Sequence, residues 1–378
     1  MSQKNRVSVL ILLFVFISSL SFSKDTPEIN FNGALRFNYN YFDWIKDSKK
    51  TGGTFGYDVF IINPNGTYKD FVFDVDYRFY TTSSGGRMLK HGWMGYNISP
   101  QHQLQVGLNH IPFGVMPANS NNFYFSINYY VGLEADADMG LKYLYNNNKW
   151  DIAVAFYKNS DVLNFNSSEG ISASRYGVDL AGRNKEVNQG NVRVAYQLVS
   201  GGNKHDLGLS AQLGGLYNID TKEMGSHKAF ALHYEGNIHN WNIKAQYSAY
   251  RISPRNAEDE SREYVEAAAY GDIYQITTKA DTYTTSVSYT IPFKKGIVDA
   301  LTFYNDFGWI NKKSKEMYDS YQNVTGMHIT MGPLFCYVDY MLAKNHAWLG
   351  GDGQTAFAKG LKDEDWKISF NFNIGYYF

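Results

Sequence analysis

From residue 366 to its end the chain alternates between apolar and polar positions without a slip. Trp366, Ile368, Phe370, Phe372, Ile374, Tyr376 and Phe378 share one face of an extended strand; Lys367, Ser369, Asn371, Asn373, Gly375 and Tyr377 share the other. Such a strand suits a transmembrane barrel, where about 9–11 tilted residues cross the bilayer, one face toward lipid and the other toward a polar lumen. The same period of two recurs upstream. Ile29, Phe31, Leu35, Phe37, Tyr39 and Tyr41 alternate with Asn30, Asn32, Arg36, Asn38 and Asn40, and Phe71, Phe73, Val75, Tyr77 and Phe79 alternate with Asp74, Asp76 and Arg78. Two carboxylates and a guanidinium on one face would be costly in a dry core and are solvated in an aqueous lumen.

The connections between alternating segments are by turns short and long. Lys69-Asp70, Ser99-Pro100-Gln101, Asn146-Asn147-Asn148, Gly201-Gly202-Asn203, His239-Asn240, Lys294-Lys295-Gly296 and Gly332-Pro333 are tight-turn signals. Between them lie longer connections, among them 110–136, 159–189, 253–280 and 346–365. Tight periplasmic turns with longer outer loops mark an outer-membrane barrel. The predicted fold is therefore all-β: a transmembrane antiparallel β-barrel of about 16 strands, with an inward-folded loop between strands 5 and 6. The charged stretch 253–280 reads as a solvated outer loop, in which Val265-Glu-Ala-Ala-Ala269 has the composition of a short surface helix.

The N-terminus sets the compartment. Lys4 and Arg6 precede an apolar run from Val7 to Leu20, and Ser21-Phe22-Ser23 offers small residues for cleavage. Residues 1–23 thus read as a signal peptide and 24–378 as one barrel domain. The apolar run falls short of the ~20 residues of a spanning helix. Cys336 is the single cysteine, which excludes a disulfide scaffold. Lys and Arg number 35 against 36 Asp and Glu, and no basic patch points to nucleic acid.

A barrel of about 16 strands is wide enough for an aqueous channel, whereas eight strands fill their interior with side chains. Selection then falls to inward side chains and to any loop in the bore. The strand phase turns Arg36, Arg78, Lys142, Arg193, Lys244 and Lys367 inward, against Asp58, Asp74, Asp76, Asp151, Glu235, Asp306 and Asp339. The signs nearly balance, so a generic hydrated wall is the plainer reading. The connection 110–136 contains no Lys or Arg and carries Phe123, Tyr124, Phe125, Tyr129 and Tyr130 ahead of Glu134 and Asp136. A long aromatic loop is expected to fold into the pore as its constriction; packing on the rim or on a neighbouring subunit is the competing arrangement. His233 falls on the lumen face, His102 and His239 in tight turns, and Cys336 on the lipid face with Leu334 and Val338. No nucleophile elbow, His-Glu-x-x-His helix or Cys/His metal spacing occurs, so no catalysis, metal or cofactor is expected.

Trp93-Met-Gly-Tyr-Asn-Ile-Ser-Pro100, followed by Leu104-Gln-Val-Gly-Leu-Asn-His-Ile-Pro-Phe-Gly114, reads as a strand, a turn and a glycine-containing strand closing on Pro-Phe-Gly before the long loop. In these residues, in the hairpin 56–80, in Asn188-Gln-Gly-Asn-Val-Arg-Val-Ala-Tyr196 and in the terminal Phe378, the chain resembles the phosphate-selective porin O/P family of outer-membrane channels. The resemblance implies a sixteen-stranded barrel, a homotrimer and passive diffusion of small solutes or ions, phosphate or other anions among them. Phosphate selectivity does not carry over, because the family's basic constriction residues have no counterpart in 110–136, which offers Glu134 and Asp136 instead.

The expected function is an outer-membrane porin for small hydrophilic solutes in a Gram-negative-type bacterium. Its partners would be outer-membrane lipid, the barrel assembly machinery and the solutes themselves. A surface adhesin or receptor barrel working through 159–189 and 253–280 is the alternative, with an outer-membrane hydrolase behind it.

Overall fold

The alternating segments become long strands joined by hydrogen-bonded neighbours on both sides. A computed structural model describes residues 26–161, 172–350 and 353–378; the predicted signal peptide lies outside them. The first half contains β1 (Glu28–Phe42), the short helix α1 (Lys46–Thr51), β2 (Thr54–Tyr68), β3 (Phe71–Tyr80), β4 (Arg87–Ser99), β5 (His102–His110), β6 (Ala137–Asn146), β7 (Trp150–Asn159), β8 (Asp179–Leu180) and β9 (Asn184–Ser200). The second contains β10 (Asn203–Asn218), β11 (Met224–Ile238), β12 (Trp241–Ser253), β13 (Tyr264–Ala269), β14 (Asp272–Thr277), β15 (Lys279–Lys295), β16 (Val298–Lys312), β17 (Ser320–Met331), β18 (Leu334–Lys344) and β19 (Lys367–Tyr377). Sixteen of these close an antiparallel barrel, while β8, β13 and β14 form a separate three-stranded sheet.

The last strand closes the ring by pairing with the first, from Ala34 opposite Tyr377 to Phe42 opposite Ser369. Phe378 extends the seam through two backbone bonds with Gly33, at 2.8 and 3.0 Å. A Cβ on Gly33 would lie 2.7 Å from the Phe378 ring, so glycine makes room for the terminal aromatic. On the inner face of β19, Asn371 donates to Asp339 at 3.0 Å and Asn373 to Asp58 at 3.1 Å. The outer face carries exposed Phe31, Phe71, Met94, Leu141, Phe156, Leu213 and Leu232. Their common direction is that of a transmembrane barrel's apolar belt.

Aromatic pairs border this belt. Trp150 meets Tyr196 at 4.8 Å and Trp241 meets Tyr289 at 4.6 Å beside the short turns. Near the opposite rim, Tyr247, Tyr283, Trp309, Tyr321 and Trp366 form a continuous row with ring separations of 4.9–6.2 Å. Trp241 and Tyr247 are separated by about 20 Å along β12 at the rise of a strand.

Two expectations are corrected. The strand expected near 190 begins at Asn184, because a register shift and the left-handed Asn188 (φ 53°) let the preceding residues continue pairing with β10. More consequentially, residues 265–269 are neither a surface helix nor part of a solvated loop. They belong to β13, pair with β14 and β8, and lie inside the barrel with Ala267, Ala268 and Ala269 fully buried. Their small side chains let a strand fit between other packed segments.

Candidate functional site: the loop-filled interior

The connection 111–136 leaves β5 and crosses the bore to the far wall. A buried loop must find partners for its backbone polar groups, and inward side chains supply them. Arg193 donates to the Gly114 carbonyl at 2.8 Å, Lys244 to that of Ala118 at 2.9 Å and Gln322 to that of Phe125 at 2.9 Å. Gln246 accepts from the Val115 amide at 2.9 Å, and one Asp306 oxygen accepts from the amides of Asn121 and Asn122, each at 2.8 Å. The wall is also thin at the contact: a Cβ on Gly308 would lie 2.6 Å from Ile127 of the loop.

Behind this backbone contact lies an apolar core built from the connections together with inward residues of the wall, among them Tyr157, Leu216, Ala231, Tyr250 and Ile310. Ile127, Tyr129 and Tyr130 pack with Val178, Leu180, Val265, Ala267, Tyr274, Ile276 and Phe357. Phe125 stacks on Tyr129 at 4.0 Å, Tyr130 stacks on Phe357 at 5.5 Å, and the Tyr274 hydroxyl donates to the Tyr130 carbonyl at 2.9 Å. His346 fastens the last connection: its Nδ1 accepts from the amides of Trp348 (3.2 Å) and Leu349 (3.1 Å), leaving Nε2 to donate to Gln322 at 3.2 Å. Burial pushes the imidazole down to about 3, so it is neutral at physiological pH.

Where the loop returns to β6, the carboxylates of Asp136, Asp138 and Asp179 converge with ligand-capable oxygens within 4.8 Å of one another. The buried Arg175 guanidinium contacts Asp179 and Asp161, and Glu186 pairs with His227 at 2.8 Å. Burial and the nearby Glu186 push the Asp136 carboxyl up. Three carboxylates at this spacing have the oxygen donors of a hard-cation site, but Arg175 already meets part of their charge.

On the other side of the loop an open cavity of about 910 Å³ remains. Arg36, Asn38 and Asn40 of β1, Asp58 of β2, and Arg78 and Tyr80 of β3 form its outer wall; Ser120, Phe123 and Tyr124 form the wall facing them. Tyr176, Tyr270, Asp272 and Trp348 approach from the remaining connections. Tyr270 reaches this position from a tight hairpin tip, where Tyr270 and Gly271 both have left-handed backbone, φ 52° and 88°.

The predicted constriction residues therefore divide. Phe123, Tyr124 and Phe125 border the cavity, whereas Tyr129 and Tyr130 are fully buried in the loop core. Glu134 and Asp136 do not face the cavity. Glu134 accepts hydrogen bonds from the Asn119 amide and the Ser126 hydroxyl, closing the loop on itself, and Asp136 enters the carboxylate cluster. Among the predicted lumen residues, Arg36 pairs with Asp58 at 2.9 Å, and Asp76 receives Nε and Nη2 of Arg78, each at 2.9 Å. Asp74 contacts His91 at 3.2 Å, and Asp151 contacts Arg193 at 2.6 Å. Lys142 donates to the His110 carbonyl at 2.9 Å, and Lys367 meets Glu364 at 3.0 Å. Arg193, Lys244 and Lys142 thus bind main chain at or next to the inner loop. Tyr176, Tyr270, Trp348 and Arg175 were not expected here, since all four lie in long connections without strand periodicity.

Neither a protein-family model nor a curated protein matches the sequence. Solved structures do match in fold. A trimer form of OmpT, an outer membrane protein of Vibrio cholerae, aligns with a TM-score of 0.59 at 12% identity over 94% of this chain and 100% of its own. The outer membrane channel DcaP of Acinetobacter baumannii gives 0.59 at 12% identity over 94% and 99%. An anion-selective porin from Comamonas acidovorans gives 0.58 at 12% identity over 93% and 100%. At this level of identity the likeness is one of fold: this chain shares the architecture of outer-membrane barrels over nearly its whole length.

Proposed function

We propose that the protein is an outer-membrane porin that lets small hydrophilic solutes diffuse through its barrel. The observation that carries this reading is the open cavity, bordered by charged and amide side chains, beside an inner loop inside a wall with an apolar outer belt. Phe123, Tyr124 and Phe125 then form one side of the constriction and Arg36, Asp58 and Arg78 the other. The similar fold of a channel from Acinetobacter baumannii and a porin from Comamonas acidovorans supports the same reading, and the trimer form of OmpT supports a homotrimer. Placement in the outer membrane of a Gram-negative-type bacterium and export by a cleaved leader follow from it. The finer likeness to the phosphate-selective porin O/P family rests on the Trp93–Pro100 and Leu104–Gly114 stretches.

Loop disposition favours a channel over an adhesin, because 264–277 folds into the barrel instead of projecting from it. Purified protein in a planar bilayer should show discrete conductance steps, and deletion of 119–130 should raise the conductance while the barrel still assembles. Absence of steps in both proteins would refute the channel. Unchanged conductance on deletion, with weaker trimers, would move the constriction elsewhere.

A further inference from the structure

On the reading of the barrel as a channel, the cavity beside the inner loop offers little to an anion. Among the described residues its lining holds two cations, Arg36 and Arg78, and both are engaged within the protein. Asp58 holds Arg36 at 2.9 Å, while the guanidinium carbon lies 5.4 Å from the centre of the Phe123 ring. Asp76 takes Nε and Nη2 of Arg78 at 2.9 Å, the Tyr80 hydroxyl accepts from Nη1 at 3.2 Å, and the Tyr176 ring covers the group at 4.6 Å. Asp47, Asp58 and Asp272 also line the space. Two paired cations beside three carboxylates create no attractive field for phosphate or a carboxylate solute.

What the cavity does present is aromatic surface interleaved with neutral hydrogen-bonding groups. Phe123, Tyr124 and Tyr337 border one side; Tyr80, Tyr270 and Trp348 border another, with Tyr80 and Tyr270 at 5.1 Å and Tyr270 and Trp348 at 5.6 Å between centres. Asn38, Asn40, Thr54 and Ser120 lie among them. A volume of about 910 Å³ falls within the range of small-molecule sites, which combine apolar and aromatic walls with a few placed polar groups. Pyranose rings carry C–H faces that pack on aromatic rings and a rim of hydroxyls that bond to amides, hydroxyls and carboxylates. An aromatic carboxylate would use the rings but lack a cation, and phosphate would leave the rings unused. We propose that this cavity is a subsite for a neutral oligosaccharide, held briefly on its way through the barrel.

The test uses maltotriose on the full chain, by current block in a potassium chloride bilayer and by calorimetric titration of the detergent-solubilised protein. Saturable block with matching binding is expected. Tyr270→Ala and Trp348→Ala should each raise the half-blocking concentration about threefold to tenfold, the worth of one aromatic contact, while Tyr270→Phe and Trp348→Phe restore it. Phosphate and benzoate should not block at the same concentrations. Conductance without saturable maltotriose binding overturns the subsite and leaves the channel standing; binding without conductance does the reverse. Block by phosphate or benzoate but not by sugar also overturns it.

Discussion

The barrel interior has a closed side and an open side, and they differ in what the inward side chains bind. On the closed side the wall presents Ala229 and Ala231 of β11, Thr282, Thr284 and Ser286 of β15, and Gly308 of β16, all buried or in contact with the inner loop. Between these small side chains, Lys244, Gln246 and Asp306 bind the loop backbone directly, and dense packing follows. On the open side, β1 to β3 present Arg36, Asp58, Asp76 and Arg78. These long charged side chains pair with each other, and the open cavity lies beside them. One barrel pattern thus yields a packed half and an open cavity, depending on whether the inward side chains bind the loop or one another.

The strongest way to break the closed side is Arg175→Ala. This leaves Asp179 and its neighbouring carboxylates without their buried guanidinium, a change that costs about 3–5 kcal/mol when one partner of a buried pair is lost. We expect the inner segments to become protease-sensitive and the unfolding temperature to fall, while strand content by circular dichroism persists. An unaltered melting curve would show that the cluster does not hold the loop.

A second test uses pH. His346, neutral in the native protein with its pKa held at about 3, is matched by an ordinary histidine near 6.5 in the unfolded chain. Between those values the unfolded state binds the extra proton, so this residue removes up to about 1.4 kcal/mol of stability per unit as pH falls. Burial raises the Glu134 carboxyl, which acts in the opposite sense: its excess proton is bound by the native state, so stability rises as pH falls. His346→Asn keeps an acceptor near Nδ1 and removes the titration. The stability of the wild type minus that of the variant should therefore fall from pH 6.5 to pH 5; a constant difference would contradict a buried neutral imidazole.

Two glycines sharpen the comparison further. Gly308→Val should cost about 1–3 kcal/mol by overpacking, since its Cβ would meet Ile127 at 2.6 Å. A Cβ at Gly56, on the open side, meets nothing within 4 Å among the described residues, and Gly56→Val should change stability by less than about 0.5 kcal/mol. Equal costs in thermal melts would erase the distinction between the sides. The smallest expected effect is Asp58→Asn, which leaves Arg36 unpaired and should shift the reversal potential toward anions by about twofold in permeability ratio, the effect of one charge in a wet cavity. A shift toward cations would show that Arg36 does not face the conducting path.

The sequence by itself determined the wall. A strand places alternate residues on opposite faces, so Phe370 and Phe372 had to face away from Asn371 and Asn373, and the seam of β19 with β1 followed from that phase. Direction was legible for Arg36, Arg78, Arg193 and Lys244 for the same reason. Only the tertiary structure decided what each of them touches. Lys244 binds the Ala118 carbonyl and Arg193 that of Gly114 because a connection from another part of the chain lands there. Glu134 and Asp136 looked like pore charges and proved to be partners of the loop itself. Ala267 to Ala269 looked helical because alanine favours helices locally, yet burial beside β14 and β8 placed them in a strand. Tyr176, Tyr270 and Trp348 come from three separate connections and have no period to betray them. Periodicity is a local property that reports orientation, whereas the position of a loop in a wide barrel is set by contacts between residues far apart in the chain.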